Sequence, residues 1–257
     1  MKHNVDRIQS RLHRGEYQCA WRIDWFEEID STNSYLLQHP DASYRACIAE
    51  SQTAGRGRRG RQWVSEPSTS VLLSIGWSAR GPEQKNRLLQ GLSLVCGLAV
   101  MDVLSQYGVS GLALKWPNDI LAQGKKLVGI LVELNQLNFV VGIGININLS
   151  QHAHSEIDQP WIDLYSLGVQ PDRDNLVADL ILIHHKYLKM MSSQGFAPFK
   201  DRWNSAHAFS GKRVSVTGEG RKIEGMALGV NEDGEFMLDY DGDIVIIRTG
   251  EYSIRSI

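Results

Sequence analysis

Two long apolar runs joined by a short polar turn constrain the fold of this chain more than any other feature. The runs are Leu127–Leu134 and Phe139–Ile147, and Asn135 and Gln136 lie between them. Apolar runs of this length, bounded by turn residues, are typical of buried strands, and so short a connection joins antiparallel neighbours. The pattern therefore predicts an antiparallel hairpin inside a well-buried sheet.

Weaker patterns predict the other elements of the first 210 residues. Helical periodicity runs through Val5–Leu12 and Lys85–Tyr107. Asp30–Asn33 offers N-cap candidates for a short helix at Ser34–Gln38. The remaining predictions are strands at Ala46–Glu50, Ser70–Trp77 and Leu112–Trp116, and a helix at Phe196–Ala208. A further helix is predicted from the apolar positions Leu176, Leu180, Ile183 and Tyr187, with Asp172 or Asp174 as its cap.

The pattern changes after Ser210 and Gly211. Five short and mostly alternating apolar runs follow, and clusters of glycine and acidic residues separate them as turn signals. Five strands in so short a segment predict a small barrel from residue 211 to residue 257, which is too small to carry the chemistry alone. We therefore place a domain boundary near residue 210.

Charge and cysteine usage exclude several classes of protein. The chain has 27 basic and 29 acidic residues, and its net charge of −2 excludes the global basicity of a dedicated nucleic-acid binder. The three cysteines, Cys19, Cys47 and Cys96, form no C-x-x-C pair, which argues against a zinc knuckle or a disulfide framework. Met1–Arg14 lacks the apolar core of a signal peptide, and the interrupted apolar stretch Leu88–Leu104 is too short to span a bilayer. These features predict a soluble cytoplasmic protein.

The segment Gly55–Arg61, followed by Trp63, is the most unusual in the chain. Its three glycines allow the backbone to approach a ligand closely, and its four arginines suit carboxylate and phosphate oxygens. Trp63 offers a ring on which a purine could stack. Composition alone leaves two interpretations equally open, a loop that closes over a nucleotide and an exposed basic loop that contacts nucleic acid. Neither the P-loop nor the Rossmann glycine pattern occurs, so an ATP site here would be of another type.

Two further segments bring polar residues to strand ends. Lys115–Asp119 ends one predicted strand and Lys126 opens the next, so a strand-turn-strand path would bring Lys115, Asp119 and Lys126 together. The alternative is a surface hairpin with solvated charges. Gly142–Asn148 places two glycines and two asparagines in an apolar strand, which marks either a close approach of a ligand or only a bulge.

Together these segments resemble the biotin protein ligases. The matching segments, in the order and at the approximate spacing of that family, are Asp30–Asn33, Gly55–Trp63, Lys115–Asp119, Lys126–Glu133 and Gly142–Asn146, and Gly250–Ser256 resembles the end of the family's C-terminal barrel. The resemblance implies an α+β fold, with a mixed, mainly antiparallel sheet of the class II synthetase type flanked by helices. An SH3-like barrel follows at 211–257. Residues 1–210 would then form the catalytic domain, with residues 1–22 as an N-terminal helical extension.

The resemblance also implies a two-step reaction. Biotin reacts with ATP to give biotinyl-5′-AMP and pyrophosphate, and biotin then passes to a lysine of a biotin carboxyl carrier protein domain. No covalent nucleophile of the enzyme is needed, and the chain offers no convincing nucleophile–base set. The reagents implied are biotin, ATP and Mg²⁺, with the ion held mainly by the ATP phosphates rather than by protein ligands.

Site residues follow from the resemblance position by position. Lys126 is the first choice for stabilising charge in the transition state, and Asp119 is either a base or a residue that positions the acceptor amine. Trp161 corresponds to a loop that folds over adenine. The catalytic set is Lys126, Arg58, Lys115 and Asp119. The biotin set is Ser31, Thr32, Asn33, Gln52, Gly55, Arg56, Gly57, Arg58, Lys126, Gly129 and Gly142. The ATP set is Arg56, Arg58, Arg61, Trp63, Lys115, Asn118, Lys126 and Asn146.

Two other functions compete with this interpretation. A lipoate ligase or octanoyltransferase would share the fold, but in those enzymes a second glycine follows the Arg-Arg motif, whereas Arg61 follows Arg58-Arg59-Gly60 here. A nucleic-acid-binding module would use the basic loop and the barrel. About 22 residues precede the catalytic region, too few for the DNA-binding domain that several family members carry, so DNA is not an expected partner. A homodimer remains open.

Overall fold

A computed structural model describes residues 2–14, 21–39, 43–136, 138–150, 159–218, 220–248 and 252–257. Cys19, Met1 and the greater part of the polar loop after Asn148 lie outside these ranges. Seven strands form one sheet in the order β1-β2-β3-β7-β6-β5-β4, in which β1 and β2 are parallel and the other neighbours antiparallel. The strands are β1 (Arg22–Ile29), β2 (Arg45–Gln52), β3 (Ser70–Ser78), β4 (Leu112–Lys115), β5 (Asp119–Ala122), β6 (Lys125–Asn135) and β7 (Asn138–Asn146).

The hairpin that the apolar runs predict is confirmed as β6 and β7 near the middle of this sheet. Asn135 pairs with Asn138 at its tip, and the ladder continues to the Val128–Ile145 pair. Two strands were missed by the sequence reasoning. β1 is an edge strand that mixes exposed charged residues with partly buried apolar ones, and β5 has only four residues, so neither shows a clear apolar period.

The two faces of the sheet differ because side chains alternate along each strand. Val71, Leu73 and Ile75 of β3 belong to the main hydrophobic core, which also holds buried side chains of the two long helices. The residues between them, including Leu72 and Ser74, lie on the opposite face, against the short helix α2 (Thr32–Leu37). The helix-covered face supplies stability and leaves the other face available for a site.

Six helices lie among the described residues, and N-cap candidates at two of them are confirmed, although α2 begins at Thr32 rather than at Ser34. Ser31 is the N-cap of α2 and accepts from the backbone N–H of Ser34, and Asp172 caps the longest helix by accepting from Asn175. The five helices other than α2 are α1 (Lys2–Arg14), α3 (Pro82–Leu89), α4 (Leu92–Gln106), α5 (Arg173–Gln194) and α6 (Lys200–Ser205).

Two of the predicted helices are wrong in extent. The single helix expected at Lys85–Tyr107 is two helices, α3 and α4, because Gly91 between them has φ +80° and its backbone lies against the ring of Phe196. The single helix expected at Phe196–Ala208 is a 3-10 turn, Ala197–Phe199, followed by α6. Of the described helices, none alone has the length and apolarity to cross a membrane. Only α3 and α4 taken together, bent by 62°, meet the length and composition criteria.

The second sheet follows α6 and contains five antiparallel strands in the order β11-β10-β9-β8-β12. It packs on the first sheet where the Trp116 indole lies 5.5 Å from the Phe236 ring and donates to the Gly234 carbonyl. The predicted SH3-like barrel is confirmed, although Glu219, within one of its expected turns, lies outside the described residues. The boundary near residue 210 stays a prediction. The strands are β8 (Arg213–Gly218), β9 (Arg221–Val230), β10 (Phe236–Tyr240), β11 (Asp243–Ile247) and β12 (Ser253–Ser256).

Candidate active site

A cavity of about 740 Å³ opens on the face of the first sheet that carries α2. Its walls come from six parts of the chain: the N-terminus of α2, the end of β2, the glycine-arginine segment, the central strands β3, β6 and β7, the turn between β4 and β5, and the segment that follows the polar loop. The lining residues are Ser31, Thr32, Asn33, Gln52, Arg56, Gly57, Arg58, Arg61, Gln62, Trp63, Val64, Leu72, Leu73, Asn118, Lys126, Gly129, Ile130, Leu131, Gly142, Ile143, Gly144, Asn146, Gln159 and Trp161.

Three glycines form the floor of this cavity. Gly129 of β6 pairs with Gly144 of β7, and Gly142 is two residues earlier on β7. A methyl group on Gly142 would lie 2.4 Å from Asn33 Oδ1, and one on Gly144 would lie 2.4 Å from the indole of Trp63. Both distances are far below van der Waals contact, so side chains pack directly on the strand backbone there. The interpretation of Gly142–Asn148 as a mere bulge is therefore wrong.

One end of the cavity is a hydrogen-bonded network at the start of α2. Gln52 Oε1 accepts from the backbone N–H of Thr32 at 2.8 Å. The Asn33 amide nitrogen donates to Leu131 O at 3.3 Å and to Glu133 Oε2 at 2.8 Å. Thr32 and Asn33 are almost fully buried, and every bond of this network crosses between different elements. The geometry of this end is therefore fixed by the fold.

The glycine-arginine segment is a short hairpin that stands over the cavity. Arg56 pairs with Gln62, and the N–H of Gly57 donates to the carbonyl of Arg61 at 2.7 Å. Gly55 is required at its base, because a methyl group there would lie 2.5 Å from the Trp63 carbonyl oxygen. The tip is a single 3-10 turn, Arg58–Gly60.

The arginines of this hairpin point to different partners. Arg56 Nη2 lies 2.8 Å from Glu133 Oε2, beside the Asn33 end of the cavity. Arg58 donates to Asn118 Oδ1 at 3.2 Å and to the carbonyl of Tyr252 at 3.4 Å. Arg59 donates to Ser253 Oγ at 3.3 Å and to the carbonyl of Thr217 at 3.2 Å. The hairpin tip is thus held by the second sheet.

The other end of the cavity carries the charged group expected from Lys115–Asp119 and Lys126. Lys126 Nζ lies 2.9 Å from Asp119 Oδ1, and their side chains are only 15% and 13% exposed. Asp119 pairs across the strands with Lys115. The pKa of Lys115 is lowered, chiefly because it is buried, and Lys126 adds to the effect while Asp119 opposes it. The prediction that these three residues meet is confirmed, and the alternative of solvated surface charges is wrong.

Trp63 lies between the two ends. Its ring rests on Gly129 and Gly144, and Lys126 Nζ is 5.4 Å from the ring centroid. Beyond Lys126, the segment with Trp161 forms a parallel bridge to Lys126, and Asn146 Nδ2 donates to the carbonyls of Lys126 and Ile162. One cavity therefore runs from a hydrogen-bonding end, past an indole, to a cationic end.

Most of the predicted site residues line this cavity, and three do not. Gly55 lies at the base of the hairpin, Asp119 lies behind Lys126, and Lys115 lies across the strands from Asp119. The individual roles of all these residues remain predictions. Gly144, Ser74 and Glu133 were not among the predicted site residues. Gly144 falls inside the segment already singled out, whereas no local pattern marks Ser74 or Glu133, whose partners are distant in sequence.

Comparison with known proteins gives consistent matches over nearly the whole chain. The model of the biotin/lipoate A/B protein ligase family matches residues 25–150, and that of the biotin protein ligase C terminal domain matches residues 209–255. The bifunctional ligase/repressor BirA of Escherichia coli is 39% identical over 89% of this chain and 72% of its own length. The biotin--[acetyl-CoA-carboxylase] ligase of Mycobacterium tuberculosis is 33% identical over 90% of this chain and 89% of its own. Among solved structures, biotin protein ligase from Aquifex aeolicus in complex with biotin and ATP superposes with a TM-score of 0.81. It has 32% identity, over 92% of this chain and 99% of that one.

Proposed function

This chain belongs to the biotin protein ligase family, and we infer that it adenylates biotin with ATP and then transfers biotin to a lysine of an acceptor protein. The single observation that carries the assignment of roles is the polarity of the cavity. One end offers buried, neutral hydrogen-bonding groups, and the other offers Lys126 and Arg58. Biotin has the same polarity, with a neutral bicyclic ring at one end of its chain and a carboxylate at the other.

We place the ring of biotin at the end formed by Ser31, Thr32, Asn33 and Gln52. These side chains are neutral and are oriented by bonds to the backbone, to one another and, for Asn33, to the Glu133 carboxylate, so they can recognise a urea without being reorganised. Gly142 suits this place because it leaves Asn33 room to lie on the strand. The aliphatic chain of biotin then passes beside Trp63 toward Lys126.

In the first step a biotin carboxylate oxygen attacks the α-phosphorus of ATP, the new O–P bond forms, and pyrophosphate leaves. Two anions must approach, and negative charge accumulates on the phosphorus oxygens, so fixed cations there lower the barrier. We assign this role to Lys126, with Arg58 beside it. Lys126 is held in place by Asp119, so its ammonium group is positioned before the substrates bind.

In the second step the acceptor lysine nitrogen attacks the acyl carbon of the adenylate, the C–O bond breaks, AMP leaves, and the amine gives up a proton. Asp119 is the carboxylate nearest to Lys126, and we propose that it orients or deprotonates the incoming amine. Lys115 lies across the strands from Asp119, and burial lowers its pKa. We propose the lysine of a biotin carboxyl carrier protein domain as the acceptor.

The ATP site is proposed on the Lys126 side of Trp63, with Arg61, Asn118, Asn146 and Trp161 around it. Mg²⁺ would be held mainly by the ATP phosphates, as is usual for ATP-dependent enzymes. Both amide hydrogens of Asn146 bond to backbone carbonyls, so Oδ1 is the atom it can offer, and an oxygen suits this ion. The ion would supply charge neutralisation on the phosphates.

Release of pyrophosphate tests this function. Protein, ATP and Mg²⁺ should release one equivalent of pyrophosphate per protein in a burst when biotin is added, and none when biotin is omitted. Titration calorimetry should show biotin binding in the absence of the nucleotide. A burst of equal size with lipoate in place of biotin would instead support the lipoate branch of the superfamily.

A further inference from the structure

A fully buried serine connects two residues at the hydrogen-bonding end of the cavity. Ser74 lies on β3 opposite Gly142, and its side chain is 0% exposed. Its Oγ is 2.7 Å from Thr32 Oγ1 and 2.6 Å from Asn33 Oδ1. Ser74 does not itself line the cavity, whereas Thr32 and Asn33 do. A fully buried hydroxyl is costly unless it is hydrogen-bonded, and Ser74 makes two such contacts.

The neighbours of Thr32 and Asn33 fix the identities of the amide atoms. The Asn33 amide atom that faces Leu131 O and Glu133 Oε2 must be nitrogen, because both partners are acceptors. Its other atom, Oδ1, therefore faces Ser74 as an acceptor. By the same reasoning, the Gln52 atom that faces the backbone N–H of Thr32 must be Oε1. Each end of the row is thus an oxygen that can only accept.

Counting hydrogens along this row fixes the orientation of the two hydroxyls between the ends. Gln52 Oε1, Thr32 Oγ1, Ser74 Oγ and Asn33 Oδ1 make three successive oxygen–oxygen contacts, at 3.0, 2.7 and 2.6 Å. The two hydroxyls supply only two hydrogens, so one contact lacks a hydrogen. Two oxygens with no hydrogen between them repel least at the longest distance, which is the 3.0 Å between Gln52 Oε1 and Thr32 Oγ1. Gln52 Oε1 also accepts from the backbone N–H of Thr32, so it has a hydrogen bond without that hydroxyl. Ser74 therefore donates to Asn33, and Thr32 donates to Ser74.

We propose that Ser74 is a positioning residue that determines specificity: it binds the hydrogen of the Thr32 hydroxyl and so presents Thr32 Oγ1 to the cavity as an acceptor. A ligand with an N–H facing Thr32 Oγ1 can donate a hydrogen bond to it and is favoured. A ligand with an oxygen at the same place is disfavoured, because two acceptors then face each other without a hydrogen. Sites built around buried polar groups reject ligands that leave those groups unpaired far more strongly than apolar pockets reject size changes. This inference rests on the proposed function, since a cyclic urea carries the N–H in question.

Two analogues of biotin test the proposal, cyclic carbamates in which oxygen replaces one or the other ureido N–H. Without Ser74, the Thr32 hydroxyl loses the acceptor that held its hydrogen, so it can turn to donate to the ligand oxygen in competition with Gln52 Oε1, 3.0 Å away, while Asn33 remains an acceptor. In Ser74→Ala, the preference for biotin over the carbamate whose oxygen faces Thr32 should therefore fall by about tenfold, which corresponds to one modest hydrogen bond. The preference for biotin over the carbamate whose oxygen faces Asn33 should be unchanged. The KM for biotin should rise, while kcat changes little. Dissociation constants from calorimetry give the same ratios independently of turnover.

Ser78→Ala is the matched control, because Ser78 is on the same strand, donates to the side-chain oxygen of Asn138, and does not line the cavity. It should leave both ratios as in the wild type. Ser74→Cys replaces the hydroxyl with a somewhat larger group that hydrogen-bonds more weakly. It should give an intermediate ratio, and it is the second variant to use if Ser74→Ala lowers the melting temperature too far. The role of Ser74 is overturned if Ser74→Ala loses affinity equally for biotin and both carbamates. It is also overturned if the affinity for both carbamates, relative to biotin, rises together. Failure of the wild-type protein to bind biotin overturns the proposed function instead.

Discussion

Replacing Lys126 with methionine removes the ammonium group from the cationic end of the cavity and keeps most of the apolar stem. If Lys126 stabilises charge that develops on the α-phosphorus, the loss should be about 3–4 kcal/mol in activation free energy, or on the order of a hundredfold to a thousandfold in rate. Biotin affinity should change less than the rate, because the ring contacts lie at the other end. The assay is single-turnover pyrophosphate release with saturating biotin and ATP.

The same substitution also breaks the ion pair with Asp119, which affects stability. Unit charges 2.9 Å apart attract by about 6 kcal/mol at an effective dielectric constant of about 20. Desolvation offsets most of this attraction, so we expect a loss of about 1–3 kcal/mol in the free energy of unfolding. Adding Asp119→Asn to Lys126→Met removes the unpaired carboxylate, so the double variant should recover much of this stability without recovering its rate of pyrophosphate release.

Lys125 provides the matched control, since it is the preceding residue of β6 and is exposed. Lys125→Ala should release pyrophosphate at the wild-type rate and unfold normally. A Lys126→Met protein that unfolds like the wild type and releases pyrophosphate at the wild-type rate would refute the assignment. Recovery of the rate in the double variant would show that Lys126 serves only to neutralise Asp119.

Three further predictions follow from the contacts. Gly142→Ala should raise the biotin dissociation constant by about tenfold or more, because the new methyl group would displace Asn33. Asn33 is held in place by hydrogen bonds to Leu131, Glu133 and Ser74. An unchanged dissociation constant in calorimetry would contradict the placement of the biotin ring. Arg59→Ala should speed subtilisin cleavage between residues 55 and 61 several-fold, while the exposed Arg80→Ala should not, because two hydrogen bonds to the second sheet are worth about 1 kcal/mol each. Burial lowers the pKa of His207 to about 4, so the folded protein keeps this imidazole neutral. As the pH falls from about 6.5 toward 4, the unfolded chain takes up a proton that the folded protein does not, and the free energy of unfolding decreases. His207→Phe should therefore flatten the fall in melting temperature between pH 7 and pH 5, and an unchanged slope would show that His207 titrates normally.

Sequence patterns predicted the elements whose residues interact locally. The β6–β7 hairpin has two apolar runs and a short turn, and Ser31 and Asp172 are caps whose side chains bond within three residues. The break at Gly91 was missed because the apolar stripe continues through it on both sides. Its cause is the packing of Phe196, about a hundred residues along the chain, and no local pattern records that contact.

The site shows the same division. The glycine-arginine hairpin and the Lys115–Asp119 turn are unusual enough in composition to be found by inspection. Ser74 and Glu133 are not, because each acts through partners distant in sequence: Ser74 through α2, and Glu133 through both Asn33 and Arg56. The attachment of Arg58 and Arg59 to the second sheet likewise depends on a contact between segments some 190 residues apart.

The most direct measurement is the mass of a biotin carboxyl carrier protein domain after incubation with this protein, biotin, ATP and Mg²⁺. We predict that the domain gains one biotinyl group on a single lysine, that the gain requires ATP, and that it is normal with Lys125→Ala and strongly slowed with Lys126→Met. An unmodified carrier domain, a gain that proceeds without ATP, or the attachment of lipoate in preference to biotin would contradict the assignment.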